Sequence, residues 1–368
     1  MCIRDRHLVK QGRPGAIVNI TSGSAHRARV GGAGLVFSEA LCIAPEARLT
    51  YSDLGIWNDD FIGPLAKLAK TMLDLGSVPG AQILHAGRKA SMQRPWHGFL
   101  PLNERDLAER GETLWQTIGP SPLPANPGWP TPRAVDLSEI PGIVKAHSDA
   151  ARRCHEAGFE VLDIHGAHGY LIHTFLSPLS NQRNDHYGGD LPGRMRLALE
   201  IASAVREEWP DEKPLFYRLS CIDKEPGGWT LDESVVLARE LSKLGVDVID
   251  CSSSGLGQRD TPVLTPRKQG FQVPFAERIR LETDLATMTV GLIQDPEYAE
   301  SVLQEGRADL VAIGREALFN PQWPLHASVT LLGDEAYERF WQPRFGWWLD
   351  KRAHSLAAAA AETEQESL

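Results

Sequence analysis

From about Gly32 onward, short apolar runs rich in β-branched residues alternate with segments of helical periodicity, and this alternation restricts the fold most. Seven runs read as strands: 34–39, 80–84, 160–164, 215–219, 246–250, 287–291 and 309–313. Between them, residues 61–73 place Ile62, Leu65, Leu68, Met72 and Leu73 at helical spacing. Residues 197–205 and 231–244 read the same way, the latter with Asp232 and Glu233 in its first turn. Such alternation predicts a parallel sheet wrapped by helices. An open doubly wound sheet can use seven strands, whereas a closed barrel needs eight. One further candidate, residues 15–20, lies upstream, and with it the count closes. The expected fold is α/β, a (β/α)8 TIM barrel whose first strand is atypical or missing.

Composition narrows the function classes. The net charge of −10 over 368 residues gives no basic stripe and argues against nucleic-acid binding. No apolar run reaches the ~18 residues of a membrane helix, and the Ala16–Val18 stretch is too short for a signal-peptide core. Five dispersed cysteines without a C-x-x-C argue against a disulfide framework, a structural zinc site and an iron–sulfur cluster. A cytoplasmic location is expected.

Residues 94–133 break the rhythm with eight prolines and three tryptophans. An irregular lid over the barrel mouth is expected there, with a domain-packing excursion as the alternative. Residues 351–368 read as a flexible acidic tail after a frayed helix.

Barrel active sites lie just beyond the strands' C-terminal ends. Those positions hold Gln82, His85, Arg88 and Lys89 at the third strand, and His165, His168, Tyr170 and His173 at the fourth. Arg218 lies on the fifth, Gly291 follows the seventh, and Gly314 with Arg315 follows the eighth. Two chemistries suit this set. In the first, the His-x-x-His pair with His85 or His173 holds a metal, as in a barrel hydrolase. Arg88, Lys89 and Arg218 put opposing charge beside such a cation, and no carboxylate bridges a second metal. In the second, glycine-rich backbone at strands seven and eight takes a cofactor phosphate. Arg218 then stabilises negative charge on a reduced flavin, and Gln82 meets its pyrimidine edge. The histidines donate to a substrate carbonyl, and Tyr170 supplies a proton.

The segments Asp53–Trp57, Gln82–Ala90, Asp163–Asn181, Arg183–Gly189 and Gly306–Leu310 with Ile313–Arg315 resemble the old yellow enzyme family, in particular its thermophilic-like bacterial branch. The run His-Gly-Ala-His-Gly-Tyr followed by Leu-Ser-Pro-Leu-Ser-Asn is highly specific, and the resemblance covers roughly Gly32 to Asp350. It implies an FMN-dependent NAD(P)H oxidoreductase acting on activated C=C bonds, such as those of α,β-unsaturated carbonyl compounds. It also implies roles. Ala40 resembles the backbone contact near flavin N5, and Gln82 and Arg218 the pyrimidine-edge ligands. Gly291, Gly314 and Arg315 resemble the phosphate grip, and Lys89 a basic residue near the cofactor's outer face. His165 and His168 resemble the pair that holds the substrate oxygen, and Tyr170 the proton donor. No metal is implied. The partners are small electrophilic alkenes and NAD(P)H, with no nucleic acid or membrane. In that branch a C-terminal arginine reaches a neighbouring subunit, which makes Arg344, within the aromatic segment 340–348, the candidate here and predicts a homodimer or homotetramer.

The N-terminus departs from this pattern. Residues 7–32 look like a piece of a short-chain dehydrogenase without its Tyr-x-x-x-Lys partner, and residues 1–6 match neither family. The expected organisation is therefore a non-family segment 1–31, a barrel 32–350 and a tail 351–368. This allows an inactive chimeric fragment as an alternative; in the other reading Ala16–Ile20 fills the first barrel position.

Overall fold

The computed structural model describes residues 31–223, 225–256 and 267–366, together with the backbone of 17–20. Eight parallel strands close into a barrel. They are β1 (Ile17–Ile20), β2 (Leu35–Cys42), β3 (Val78–Leu84), β4 (Val161–Gly166), β5 (Leu215–Ser220), β6 (Val248–Ser252), β7 (Ala286–Thr289) and β8 (Leu310–Ile313). The first strand is present but only four residues long. It pairs with β2, Val18 opposite Leu35, and with β8, Ile17 opposite Val311. The rest of the 1–31 segment, apart from Gly31, lies outside the described residues.

The connecting helices are α1 (Ile62–Asp74), α2 (Glu104–Arg110), α3 (Ile140–Glu156), α4 (Leu171–Leu176), α5 (Leu191–Glu208), α6 (Leu231–Lys243), α7 (Val273–Glu282) and α8 (Pro296–Gln304). After β8 follow α9 (Arg315–Phe319), α10 (Trp323–Leu332), α11 (Glu335–Arg339) and α12 (Pro343–Glu366). Helix α5 starts six residues before the expected 197, because Asp190 accepts from Gly193 N–H and Pro192 pre-sets the first turn. Among the described residues no helix is long and apolar enough to cross a membrane.

Strand alternation sorts the barrel into an outer face and layered interior. The outward residues Leu162, Ile164, Tyr217, Leu219 and Ile249 are fully buried beneath the helices, in one cluster with Ala150, Ala151 and Cys154 of α3. Each buried Leu or Ile of this kind contributes about 1.5–3 kcal/mol. Inside, Leu35, Phe37, Val161, Phe216, Val248, Met288, Leu310 and Ala312 form an apolar floor. Phe37 fills the space at Gly80, where a Cβ would come within 2.6 Å of its ring. Two residues further along come Asp163, Arg218 and Asp250, and after two more His165, Ser220 and Ser252. The interior thus runs from apolar floor to charged layer to polar rim, an order that aims chemistry at the C-terminal mouth.

Two expectations need correction. The 94–133 lid is not irregular throughout. Asn103 and Asp106 form a capping box that starts α2, and Ile118–Gly119 pairs with Arg133–Ala134. Pro101 and Pro120 flank the helix rather than interrupt it, so the cap decides. Arg88 Nη1 donates to the carbonyls of Leu123 (3.2 Å) and Pro124 (3.3 Å), and Trp115 Nε1 to Glu46 O (3.0 Å), tying the lid to the barrel. The 351–368 segment continues α12 as far as Glu366, consistent with its run of five alanines, the strongest helix formers.

Candidate active site

The charged layer holds Gln82 and Arg218. A register shift in the β2–β3 ladder between Phe37 and Ala40 sets Ala40 opposite Gln82, and Gln82 lies opposite Asp163. Gln82 Nε2 donates to Asp163 Oδ2 at 2.6 Å. On the other side His165 is in register with Arg218 and Arg218 with Asp250. Arg218 Nε lies 3.1 Å from Asp250 Oδ2, but out of line for a hydrogen bond. Burial, then the charge of Asp250, raises the Asp163 carboxyl well above the ordinary carboxylate range. Burial also raises Asp250, against the pull of Arg218. Two buried carboxyls therefore share one guanidinium, and burial disfavours the charged form of both.

The rim is built on the β4–α4 turn. His165 Nδ1 accepts from Ala167 N–H (3.2 Å), which puts its proton on Nε2. That nitrogen lies 3.2 Å from His168 Nδ1, and His168 Nε2 lies 2.6 Å from Ser252 Oγ. The two imidazoles therefore stand in series, not side by side as two free donors. Burial, then Arg218, lowers both pKa values well below that of free histidine, so both rings are neutral. The Tyr170 ring packs 4.8 Å from His165 and 6.4 Å from His168. Burial, then Asp53, raises its phenol, which keeps the proton. Lys89 Nζ donates to His168 O (2.8 Å) and to Gly255 O, 5.8 Å from the Tyr170 ring centre. Burial, then Arg88, lowers Lys89 to about 8.

Opposite this cluster, Gly291 has φ 137° and Leu292 φ 53°, a turn that glycine makes cheap. Gly314 is the N-cap of α9 and Arg315 its first residue. Gln294 Nε2 donates to Glu316 (2.9 Å), joining the β7 and β8 loops. The Arg315 guanidinium has no hydrogen-bond or ion-pair partner among the described residues. His85 Nδ1 accepts from Gly87 N–H, and His173 faces Asp223.

The residues fit a flavin phosphate cofactor. Asp163 Oδ1 and Arg218 Nε are buried polar atoms without hydrogen-bond partners, beside an amide able both to donate and to accept. Gly291, Gly314 and Arg315 supply open backbone and an unspent cation at the strand ends that suit phosphate. Gln82, Arg218, Ala40, Lys89, His165, His168 and Tyr170 would take the ring and substrate side. Sequence reasoning missed Asp163, Asp250, Ser220 and Ser252. The sequence does carry a carboxylate or hydroxyl within each of these otherwise apolar strands, but not which face of the strand points inward.

A closed parallel barrel with a charged interior layer and titratable groups gathered at its C-terminal rim defines a barrel enzyme of the cofactor-dependent oxidoreductase class. The family model described as NADH:flavin oxidoreductase / NADH oxidase matches residues 14–331, beginning inside the segment that sequence alone set apart. The chain is 41% identical over 317 residues to an NADPH dehydrogenase of Geobacillus sp. (strain WCH70), covering 85% of each chain. It is 40% identical over 316 residues to an NADPH dehydrogenase of Bacillus subtilis (strain 168), covering 85% of this chain and 86% of that one. Among solved structures it superposes on morphinone reductase in complex with tetrahydroNAD with a TM-score of 0.68, at 25% identity, covering 86% of each chain. It also superposes on the old yellow enzyme homologue from Zymomonas mobilis with a TM-score of 0.67, at 24% identity, covering 84% and 87%. This chain belongs to the NADH:flavin oxidoreductase / NADH oxidase family, the old yellow enzyme relatives. It is an FMN-dependent NAD(P)H oxidoreductase.

Proposed function

We propose that the enzyme is an ene-reductase that saturates C=C bonds activated by a neighbouring carbonyl or similar electron-withdrawing group. The observation that carries this reading is the grouping of two neutral imidazoles and a protonated phenol within 6.4 Å at the mouth. When bound, FMN would supply the redox chemistry that links hydride from NAD(P)H to the alkene's β-carbon. Gln82, Arg218 and Ala40 hold the ring, Gly291, Gly314 and Arg315 the phosphate, and Lys89 braces the rim. His165 would turn its Nε2–H from His168 Nδ1 to the substrate's carbonyl oxygen, His168 would add its Nε2–H on releasing Ser252, and Tyr170 would give its proton to the α-carbon. Neutral rings suit this role, since a neutral N–H stabilises a developing oxyanion without prematurely protonating it.

A cytoplasmic homo-oligomer completes the proposal. Phe345, Trp347 and Trp348 are 47%, 56% and 68% exposed, a density that favours an interface. Arg344 stacks 4.6 Å from the Phe345 ring, where it could be offered to a neighbouring subunit. In half-reaction kinetics, Tyr170→Phe should slow reoxidation by 2-cyclohexenone and spare reduction by NADPH. Equal rates in both half-reactions, relative to wild type, would remove Tyr170 as proton donor.

A further inference from the structure

The turn that carries the rim is strained, and side chains hold three of its polar backbone groups. His168 has φ 60° and Gly169 φ 73°, two consecutive left-handed residues of which only the second is glycine. Such a conformation costs about 1–3 kcal/mol at a non-glycine residue and persists where the surroundings over-determine it. Ser220 Oγ accepts from His168 N–H (2.9 Å), Lys89 donates to His168 O (2.8 Å), and His173 Nδ1 accepts from Gly169 N–H (2.8 Å). That last bond leaves the His173 proton on Nε2, 3.0 Å from Asp223 Oδ1 in a close contact out of line for a hydrogen bond, with both side chains buried. Asp223 is itself fixed, since its Oδ2 accepts from Ser177 Oγ (2.5 Å) and Trp229 N–H (2.7 Å). Neither His173 nor Asp223 is part of the substrate and cofactor set proposed above.

We infer that His173 and Asp223 form a positioning dyad. Asp223, 3.0 Å from Nε2, favours the ring orientation that keeps Nδ1 toward Gly169, and His173 in turn clamps the Gly169 amide between His168 and Tyr170. The dyad sets where the Tyr170 phenol stands and takes no part in electron or proton transfer. This rests on the reading of Tyr170 as proton donor.

The test uses the FMN-loaded enzyme, with anaerobic reduction by NADPH and reoxidation by 2-cyclohexenone followed separately. His173→Leu removes both the acceptor and the donor, and should slow reoxidation ~10-fold or more with NADPH reduction within about twofold. His173→Gln can still accept from Gly169 and donate to Asp223, and should recover most of the rate. In a Tyr170→Phe background, His173→Leu should add little, because its effect is exerted through the phenol. Ser177→Ala, which removes one donor to Asp223, should show a smaller loss of the same kind and stands in if His173→Leu does not fold. If Tyr170→Phe is slow but His173→Leu and Ser177→Ala reoxidise normally, the dyad is overturned alone. Equal slowing of both half-reactions, or full additivity with Tyr170→Phe, would also overturn it. If Tyr170→Phe reoxidises normally, the proton-donor reading falls and the dyad with it.

Discussion

Gln82 Nε2 donates to Asp163 Oδ2 at 2.6 Å across the β3–β4 ladder, inside the barrel and one layer below the rim. A buried amide could otherwise turn either end to a ligand, and this bond fixes its orientation. Asp163→Leu should therefore release Gln82 and weaken FMN binding ~2–10-fold, as loss of a typical hydrogen bond of about 0.5–1.5 kcal/mol implies. Asp163→Asn, which can still accept, should lose much less. Flavin-fluorescence titration of the apoproteins measures both, and equal affinity in wild type and Asp163→Leu would remove Asp163 from the cofactor's support.

Arg218 is the cation of the charged layer, facing Asp250 at 3.1 Å. Arg218→Met leaves a buried carboxyl without its partner and should cost about 3–5 kcal/mol in denaturant unfolding. The double variant Arg218→Met with Asp250→Leu should regain most of that stability but not FMN affinity. Recovery of both would show that Arg218 serves packing alone.

Acid stability should depend on two buried histidines outside the proposed reacting set. Burial lowers His85 to about 3, with help from His147, and lowers His147 to about 4. In the unfolded chain both titrate near 6.5. The unfolded state therefore binds more protons between about pH 6.5 and 3–4, so stability falls as pH drops through that window. The slope is up to about 1.4 kcal/mol per pH unit for each group. His147→Leu removes one of them, and its acid unfolding midpoint by circular dichroism should move to lower pH. A midpoint moved upward would show that the packing lost outweighs the linkage.

The barrel was legible because a parallel strand buried on both faces leaves a short, mostly apolar run, and the expected strand cores all lie on observed strands. The segment 15–20 was ambiguous for a physical reason: a four-residue strand with three apolar residues satisfies a barrel position and many other strands equally well. The rim was legible where polar residues follow a strand directly, as at His165, His168 and Tyr170. The layer beneath was not, because Asp163 and Asp250 sit mid-strand, where sequence alone does not show which face is inward. Helix α2 was masked by its flanking prolines although Asn103 and Asp106 already carried the cap. The series arrangement of His165 and His168 depends on Ser252, 84 positions away in the chain, and no local pattern contains it.

The aromatic C-terminal segment gives a separate test. Truncation after Glu338 removes Phe345, Trp347, Trp348 and α12, and should yield monomers with weakened activity. Unchanged mass in light scattering would assign the segment to packing within one chain.

The central claim is tested most directly by the oxidised-flavin absorbance of the purified protein under anaerobic titration. The protein should be yellow as isolated, bleach on addition of NADPH, and regain its full absorbance when 2-cyclohexenone is added. A colourless protein that takes up no FMN, or a bleached enzyme that the enone fails to reoxidise, would contradict the ene-reductase account.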